Sequence, residues 1–257
     1  MAKRNVIIAG GGTGGHIYPG VAIGRALERM HPEIQVHFVG ARGGLEEKIV
    51  PRENFPLHLM AIGKLHKSAA LITRLKTLVQ LPLSFVTSAR ILRELRPVAV
   101  LGVGGFASGP LLFMAALMGY RSLIWEPNAY PGMANRWLAR LVSECLLVFK
   151  DAGRYLHAKK ITQSGLPVRA NMRPQQRPPG PLRVLVFGGS QGARFINKIV
   201  SEAVAQGGDW LEGIELVHQT GAADFKQMQE LYKKAPTQVQ VFAPTRPRRG
   251  RASRACR

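Results

Sequence analysis

Two glycine-rich segments, each placed between a short apolar run and a helical pattern, constrain the fold more than any other feature of the chain. The first covers residues 10–16 (GGGTGGH) and the second covers residues 188–193 (GGSQGA). A strand, a glycine-rich turn and a helix in succession allow backbone N–H groups and the helix N-terminus to face an anion. Two such turns in one chain predict two half-sites for ligands that carry phosphate.

Strand-like apolar runs alternate with helical patterns along most of the chain. This alternation is typical of α/β proteins in which helices cover a parallel sheet. The sequence therefore predicts an α/β fold with Rossmann-like, doubly wound domains. Predicted strands cover residues 5–9, 36–39, 98–101, 122–125, 145–149, 184–187, 214–217 and 239–242, and predicted helices include residues 111–118, 134–141, 193–203 and 225–232.

A proline-rich stretch divides the chain. Residues 173–181 (RPQQRPPGP) contain four prolines and one glycine, a composition typical of a stiff linker. We expect a first domain over residues 1–172 and a second over residues 182–243. Because three parallel strands make only half of a Rossmann-like domain, we expect the second domain to be incomplete and to have an open edge strand.

The formal net charge is +21, from 36 basic and 15 acidic side chains. Six of the arginines lie in residues 244–257, a segment with no acidic residue and no apolar periodicity. A natural basic arm and the product of a reading-frame slip would both have this composition. Because this part of the charge lies outside any predicted element, the charge does not establish a nucleic-acid partner, and we predict none.

The cysteines indicate the redox environment in which the protein works. Cys145 and Cys256 provide neither a disulfide framework nor a metal-ligand spacing, so we expect a reducing, cytosolic environment and no metal site. The N-terminal apolar run breaks into glycines before it reaches the length of a signal peptide, and we interpret it as the first strand.

Residues 64–85 combine bulky apolar side chains with lysine and arginine and contain no acidic residue. A helix of this composition suits the headgroup layer of an anionic membrane. A core-facing helix with solvated basic side chains would have the same pattern. The residues alone leave both interpretations open.

The first glycine-rich segment also satisfies G-x-G-x-x-G, which makes a dinucleotide-dependent oxidoreductase an alternative. That motif needs an acid at the end of the second strand to bind the ribose. Arg42 lies in that region instead, and the nearest acids, Glu46 and Glu47, belong to the next helical stretch. The oxidoreductase is therefore the less favoured interpretation.

Three polar residues follow predicted strands or turns and are candidates for chemistry. His16 lies directly after the first glycine-rich turn and is a candidate general base, although a solvated or capping histidine is equally compatible with its position. Glu126 and Asn128 follow a predicted strand at the sheet edge where α/β proteins bind ligands, and a structural turn there remains the alternative.

Five segments, taken together, resemble the MurG family of peptidoglycan N-acetylglucosaminyltransferases. They are GGGTGGHIYPGVAIGRAL, GVGGFASGP, EPNAYPGMANRWLAR, GLPVR and VLVFGGSQGAR, in that order along the chain. The resemblance extends from about residue 5 to residue 242 and corresponds to the first two-thirds of a typical member.

The resemblance implies a two-domain GT-B fold, with an N-terminal acceptor domain and a C-terminal UDP-sugar domain. It implies an inverting transfer of N-acetylglucosamine from UDP-N-acetylglucosamine to undecaprenyl-pyrophosphoryl-MurNAc-pentapeptide (lipid I), which forms lipid II. No cofactor is implied. A polyprenyl-linked acceptor implies attachment to the anionic cytoplasmic face of the cell membrane, which favours the interfacial interpretation of residues 64–85.

The matching motifs also imply roles for individual residues. His16 corresponds to the family's candidate base, and Glu126 lies in its acidic motif, where it orients the acceptor or shares the proton. Gly104 and Gly105 match the loop that meets the acceptor pyrophosphate. The UDP-N-acetylglucosamine contacts implied by the match are Thr13, Gly14, Gly15, Asn128, Arg169 and Ser190.

The chain departs from the family pattern at several positions. Trp125, Pro127 and Leu166 replace residues that are commonly histidine, glutamine and asparagine. The nucleotide-gripping and sugar-contacting motifs expected after residue 242 are absent, so we expect residues 244–257 to be a non-native tail left by truncation or a frameshift. An acceptor-lipid-binding protein without transferase activity is accordingly the main alternative.

Overall fold

A computed structural model describes residues 3–62, 71–168, 179–189, 192–235 and 239–243, with the backbone alone for residues 71–80. The chain divides into two compact units, Met1–Met172 and Arg173–Arg257. Each unit is described by itself. Most of the expected linker and all of the arginine-rich tail lie outside the described residues.

The first unit alternates strands and helices as the sequence predicts. Two short strands, β3 and β7, were not predicted from the sequence. Its strands are β1 (Arg4–Gly10), β2 (Ile34–Ala41), β3 (Leu57–Met60), β4 (Ala99–Gly104), β5 (Ser122–Glu126), β6 (Glu144–Leu147) and β7 (Ile161–Gln163). Its α-helices are α1 (Gly14–Met30), α2 (Glu46–Ile49), α3 (Leu71–Leu95), α4 (Ser108–Leu117) and α5 (Met133–Leu138), and 3-10 turns cover Pro51–Glu53 and Lys150–Tyr155.

The seven strands form one parallel sheet in the order β3-β2-β1-β4-β5-β6-β7. The strand order reverses direction between β1 and β4, which are hydrogen-bonded neighbours. In open parallel sheets, ligands bind beyond the carboxyl ends of the strands at such a reversal. The topology therefore confirms the predicted doubly wound α/β class and places the first glycine-rich turn at the reversal.

Both faces of this sheet are covered, so its inner strands are apolar on both sides. Along β1, Ile7 and Ala9 belong to one buried cluster, which also contains residues of α3 and α4. Ile8 belongs to a second buried cluster with Ile17 and Val21 of α1. Continuous apolar runs of this kind are expected for parallel strands between two helical layers.

The structure assigns the C-terminal part of α3 to the core. Ser88 and Leu92 are buried, and the ring of Phe85 lies 5.3 Å from that of Phe113 on α4. These buried contacts begin at Ser84 and Phe85 and continue beyond residue 85, so the interfacial interpretation of residues 64–85 stays a prediction. Leu83 and Val86 are exposed on the same helix, whereas residues 64–70 lie outside the described residues.

The second unit contains a parallel sheet of three described strands in the order β10-β9-β8. Leu216 of β9 stands in register with Val184 of β8 and Val239 of β10, and all three pack with α6 and α7. Leu185 and Phe187 alternate with the core-facing residues of β8 and are exposed. The described elements are β8 (Leu182–Phe187), α6 (Arg194–Gln206), a 3-10 turn (Asp209–Leu211), β9 (Ile214–Gln219), α7 (Phe225–Tyr232) and β10 (Val239–Phe242).

Candidate active site

Three polar loops of the first unit follow the carboxyl ends of adjacent or nearly adjacent strands. The first glycine-rich turn follows β1, the turn at Gly104 and Gly105 follows β4, and Glu126 ends β5. Because β1, β4 and β5 are consecutive in the sheet, the three loops share one edge. The structure therefore brings together the candidates that the sequence placed in the first unit before residue 130.

Backbone N–H groups in the first loop divide into two sets. The N–H of Gly11 donates to the carbonyl of Gly104 (3.2 Å), and the N–H of Gly12 donates to Oε2 of Glu46 (2.9 Å). Within the described residues, no acceptor is found for the N–H groups of Thr13, Gly14 and Gly15. The first half of the loop is thus used to hold the protein together, and the second half is left for a ligand.

Helix α1 begins within that second half. It starts at Gly14 after the N-cap residue Thr13, whose side chain makes no capping hydrogen bond, and its first turn contains no acidic residue. A helix N-terminus carries a partial positive charge and unsatisfied N–H groups. This turn can accommodate an anionic group such as a phosphate.

The side chain of His16 lies against the second loop. A Cβ built on Gly104 would lie 2.6 Å from Nδ1 of His16, and Gly104 has a φ of +100°, so glycine is required there on both counts. Nδ1 is enclosed and has no hydrogen-bond partner among the described residues. Packing rather than hydrogen bonding therefore fixes the imidazole, and Nε2, the other ring nitrogen, is the atom that could exchange a proton with a substrate.

The loops that follow β1 and β4 are also in direct contact with each other. A Cβ on Gly105 would overlap the backbone of Gly11, and the hydroxyl of Ser108 donates to the Gly105 carbonyl (2.8 Å). Gly105 has a φ of +91°. Only glycine allows the loops to approach this closely in this conformation.

Glu126 is the most completely enclosed of the candidate residues, with 1% of its surface exposed. Its Oε1 accepts from the backbone N–H (2.9 Å) and the side-chain amide (2.8 Å) of Asn128. Its Oε2 accepts from the side-chain amide of Asn135 (2.8 Å). With both oxygens engaged, Glu126 organises the loop after β5, and its implied role toward the acceptor stays a prediction.

The charge of Glu126 also influences a neighbouring strand. Burial raises the pKa of Cys145 on β6 to about 11, and the negative charges of Glu126 and Glu144 contribute to this increase. The Cys145 thiol therefore stays protonated near neutral pH, and we assign it to the core.

The second glycine-rich turn also approaches a neighbouring loop closely. Gly192 has a φ of +77°, and a Cβ there would overlap the carbonyl of Thr220 after β9. Asn197 on α6 donates to that same carbonyl (2.9 Å) and to Asp224 (2.8 Å). Two of the predicted donor contacts, Arg169 and Ser190, lie outside the described residues.

Sequence analysis missed two residues of this site, Glu46 and Asn135. Asn135 lies in one of the family-like segments, but the segment does not show that its amide reaches Glu126, and the contact of Glu46 with Gly12 joins residues 34 positions apart. The position of Glu46 also argues against a dinucleotide ribose site, because its carboxylate is bound to the loop instead. Within the described residues, no group of three His, Cys, Asp or Glu side chains could hold a metal ion. The expectation of a metal-independent reaction remains a prediction.

Family models match both units of the chain. The glycosyltransferase family 28 N-terminal domain matches residues 6–146, and the C-terminal domain of the same family matches residues 183–246. The first match includes all three loops of the first unit. The second includes the second glycine-rich turn.

Curated relatives carry one enzyme name, UDP-N-acetylglucosamine--N-acetylmuramyl-(pentapeptide) pyrophosphoryl-undecaprenol N-acetylglucosamine transferase. The protein from Bdellovibrio bacteriovorus is 50% identical over 93% of this chain and 68% of its own length. The protein from Anaeromyxobacter sp. is 41% identical over 89% of this chain and 61% of its own length. The chain thus spans about two thirds or less of these relatives.

A solved structure supports the same relationship. The crystal structure of MurG from Acinetobacter baumannii aligns with a TM-score of 0.69 and 27% identity, over 98% of this chain and 68% of that one. The chain therefore belongs to glycosyltransferase family 28, and its two α/β units have the GT-B type of fold that the MurG resemblance implied.

Proposed function

We propose that this protein transfers N-acetylglucosamine from UDP-N-acetylglucosamine to the 4-hydroxyl of the muramoyl sugar in undecaprenyl-pyrophosphoryl-MurNAc-pentapeptide, with inversion at the anomeric carbon. The enzyme name shared by the relatives supports both substrates. The product, lipid II, is a precursor of peptidoglycan, and through it the protein would support cell shape and division.

The observation that carries the proposal is the position of His16. The reaction needs a base that accepts the proton of the attacking hydroxyl. The His16 ring is clamped against Gly104 and lies three residues after Thr13, where the free N–H groups begin. A base and an anion-binding helix start are thus adjacent, as a transfer between two pyrophosphate-bearing substrates requires.

The leaving UDP and the acceptor pyrophosphate both need positive surroundings. The N–H groups of Thr13, Gly14 and Gly15 and the α1 dipole can provide one such position without a metal ion. We assign these three residues to the UDP-N-acetylglucosamine site and Gly104 and Gly105 to the acceptor pyrophosphate.

Asn128, Arg169 and Ser190 are the other residues that we assign to binding of UDP-N-acetylglucosamine. Both the backbone N–H and the side-chain NH₂ of Asn128 are directed to Glu126, which leaves Oδ1 of Asn128 to accept from a sugar hydroxyl or a base N–H. The guanidinium of Arg169 suits a phosphate, and the hydroxyl of Ser190 suits a phosphate or a sugar.

The direct test is transfer of radiolabelled N-acetylglucosamine to a soluble lipid I analogue, with separation of the product by chromatography. Label in a lipid II analogue supports the proposal. Binding of the acceptor without transfer would instead favour the alternative, an acceptor-lipid-binding protein, because the chain spans only part of its relatives' length. A chain that neither binds the acceptor nor transfers the sugar would show that both assignments are wrong.

We also propose that the protein attaches to the anionic cytoplasmic face of the cell membrane. Helices α3, α4 and α5 are neighbours in the first unit and carry exposed apolar side chains, and Arg140 lies 5.9 Å from the ring of Trp137. Apolar side chains beside basic ones bind anionic interfaces reversibly. None of the described helices is long and apolar enough to span a bilayer. The exposed apolar residues are Leu83, Val86, Phe113, Leu117, Trp137 and Leu141.

Sedimentation with liposomes tests this attachment. We expect binding to vesicles that contain phosphatidylglycerol, weaker binding to phosphatidylcholine alone, and a clear loss in Leu117→Glu. The matched control is Met30→Glu, an equally exposed apolar position on α1 at the other face of the sheet. Absence of binding to both kinds of vesicle, or equal losses in the two variants, would refute the assignment.

A further inference from the structure

Glu46 is a buried acid that the proposed reaction does not use. Only 1% of its surface is exposed, and it begins the short helix α2 at the end of the turn that follows β2. Its side chain lies within the sheet edge that carries the first glycine-rich turn, so its carboxylate needs partners that replace water.

Two backbone N–H groups supply those partners. Oε2 accepts from Gly12 in the first loop (2.9 Å), and Oε1 accepts from Ala41 at the end of β2 (2.9 Å). The two donors are 29 residues apart in the sequence and follow different strands. The carboxylate therefore ties the first loop to the neighbouring strand by two charge-assisted hydrogen bonds.

Three glycines make room for this carboxylate. A Cβ at Gly11, Gly40 or Gly44 would overlap atoms of the Glu46 side chain. The space that the three glycines leave is therefore occupied by the Glu46 side chain, and any larger residue at these positions would displace it.

From Glu46 the contacts continue to the candidate base. Gly11, which packs on Glu46, donates its N–H to the carbonyl of Gly104 (3.2 Å), and Gly104 packs on the ring of His16. Because each contact is backbone to backbone or side chain to glycine, little movement is possible between the first and the last of them. A displacement of the loop at Gly12 would move Gly104 and thus the imidazole.

We propose that Glu46 is a positioning residue for the transfer reaction: its carboxylate closes the first half of the glycine-rich loop, fixes His16 through Gly104, and confines a substrate pyrophosphate to the N–H groups of Thr13, Gly14 and Gly15. The Glu46 carboxylate next to Gly12 also disfavours a phosphate in the first half of the loop, because like charges repel. The proposed function assigns this pyrophosphate to UDP-N-acetylglucosamine, and the kinetic experiment below distinguishes it from the pyrophosphate of the acceptor lipid. This inference rests on the proposed function for its kinetic consequences only.

The test compares Glu46→Gln and Glu46→Asp with Glu47→Gln in the full chain. Glu47 is the matched control, because it is the next residue, is exposed, and accepts a hydrogen bond from Gly43 in the same turn. Glutamine keeps the size of Glu46 but removes its charge, and aspartate keeps the charge but shortens the reach.

Amide hydrogen exchange at single-residue resolution provides the first readout and does not depend on activity. In the wild-type chain the Gly12 and Ala41 amides should be protected. In Glu46→Gln the amide that faces the NH₂ group instead of an oxygen should exchange about tenfold faster, with core amides of β4 unchanged. Glu47→Gln should leave both at the wild-type rate. Unprotected Gly12 and Ala41 amides in the wild type would overturn the proposal even if the variants failed to fold.

Steady-state kinetics with each substrate varied in turn provides the second readout. In Glu46→Gln we expect kcat to fall about tenfold and the KM of one substrate, the one whose pyrophosphate occupies the loop, to rise about fivefold. The kcat and KM values of Glu46→Asp should lie between those of Glu46→Gln and those of the wild type. A lower kcat with both KM values unchanged would indicate only a smaller folded fraction and would contradict the positioning role. If the wild type shows no transfer, the proposed function fails, while the exchange result still decides whether Glu46 holds the loop.

Discussion

At the scale of single residues, His16 and Glu126 differ in how the protein uses their side chains. The imidazole is held by packing and keeps its hydrogen-bonding capacity, whereas the Glu126 carboxylate is fully engaged by Asn128 and Asn135. A group that must take up a proton needs an accessible lone pair, and a group that orients a loop needs fixed partners. The contacts of Glu126 are therefore those of a residue that organises a loop, and His16 remains the candidate for the base that we propose.

We expect His16→Ala to lower the rate of transfer by about 10²-fold or more while acceptor binding changes little, because a general base acts mainly on the chemical step. The measurement is kcat beside equilibrium binding of a lipid I analogue. His157→Ala, at an exposed histidine of the same unit, serves as the control and should be active. Unchanged turnover in His16→Ala would exclude His16 as the base.

Removing Asn135 should test the buried Glu126 directly. Asn135→Ala leaves Oε2 of Glu126 without its donor, and we expect a loss of about 1.5–3 kcal/mol in the free energy of unfolding of the first unit. Asn128→Ala should be milder, because Oε1 retains the backbone N–H of residue 128. Urea denaturation measures both, and equal losses would contradict this account of the loop.

At the scale of elements, neighbouring strands place two histidines side by side. Nδ1 of His37 on β2 lies 3.1 Å from Nε2 of His58 on β3, and His37 is buried while His58 is partly buried. Burial lowers the pKa of each; the charge of His58 lowers that of His37 further, while Glu28 and Glu94 act in the opposite direction. The pair is therefore held neutral where free histidines begin to take up protons.

This pair should make the first unit sensitive to acid. Below the ordinary histidine pKa of about 6.5, the unfolded chain binds protons that the folded pair rejects, so stability falls as the pH decreases. The effect ends once the pH is below both folded pKa values. We expect urea midpoints to decrease from about pH 7 to pH 5, and His58→Gln to reduce that slope. The control is His157→Gln. A slope equal to that of wild type in His58→Gln would show that other groups cause the acid sensitivity.

At the scale of the whole molecule, the described cores are separate. Ile124 lies in a buried cluster of the first unit, and Leu216 lies in the smaller cluster of the second. Units with their own cores are able to unfold independently. The second unit also carries exposed apolar residues on β8, including Phe187 with 63% of its surface exposed, so we expect it to be the less stable unit.

Calorimetry should therefore show two transitions. Leu216→Ala removes a buried side chain of the second core. It should lower the midpoint temperature of the first transition, because the free energy of unfolding of that unit falls by about 2–5 kcal/mol. Ile124→Ala should lower only the midpoint temperature of the second transition, which belongs to the first unit. One transition that both variants shift equally would mean that the units unfold as one.

Most strand positions and the glycine-rich turns could be predicted because their signals are local. Apolar runs identify β1, β4 and β5, and glycines followed by helical patterns identify the turns between them. Strands β3 and β7 were missed because each is short and lies at an edge of the sheet, where one neighbour is lacking and the apolar pattern is weak. His16 was identified because it follows a glycine-rich turn directly.

The sequence by itself determined the α/β class, the order of the main elements and the family, because apolar periodicity, glycine positions and motif order are properties of neighbouring residues. Only the tertiary structure decided which N–H groups of the first loop remain free. The partners of Gly11 and Gly12 are Gly104 and Glu46, which are distant in the chain and reach the loop only after the parallel sheet has formed. Sequence patterns record which residues can form a loop, whereas the donors and acceptors that the loop meets depend on strand order.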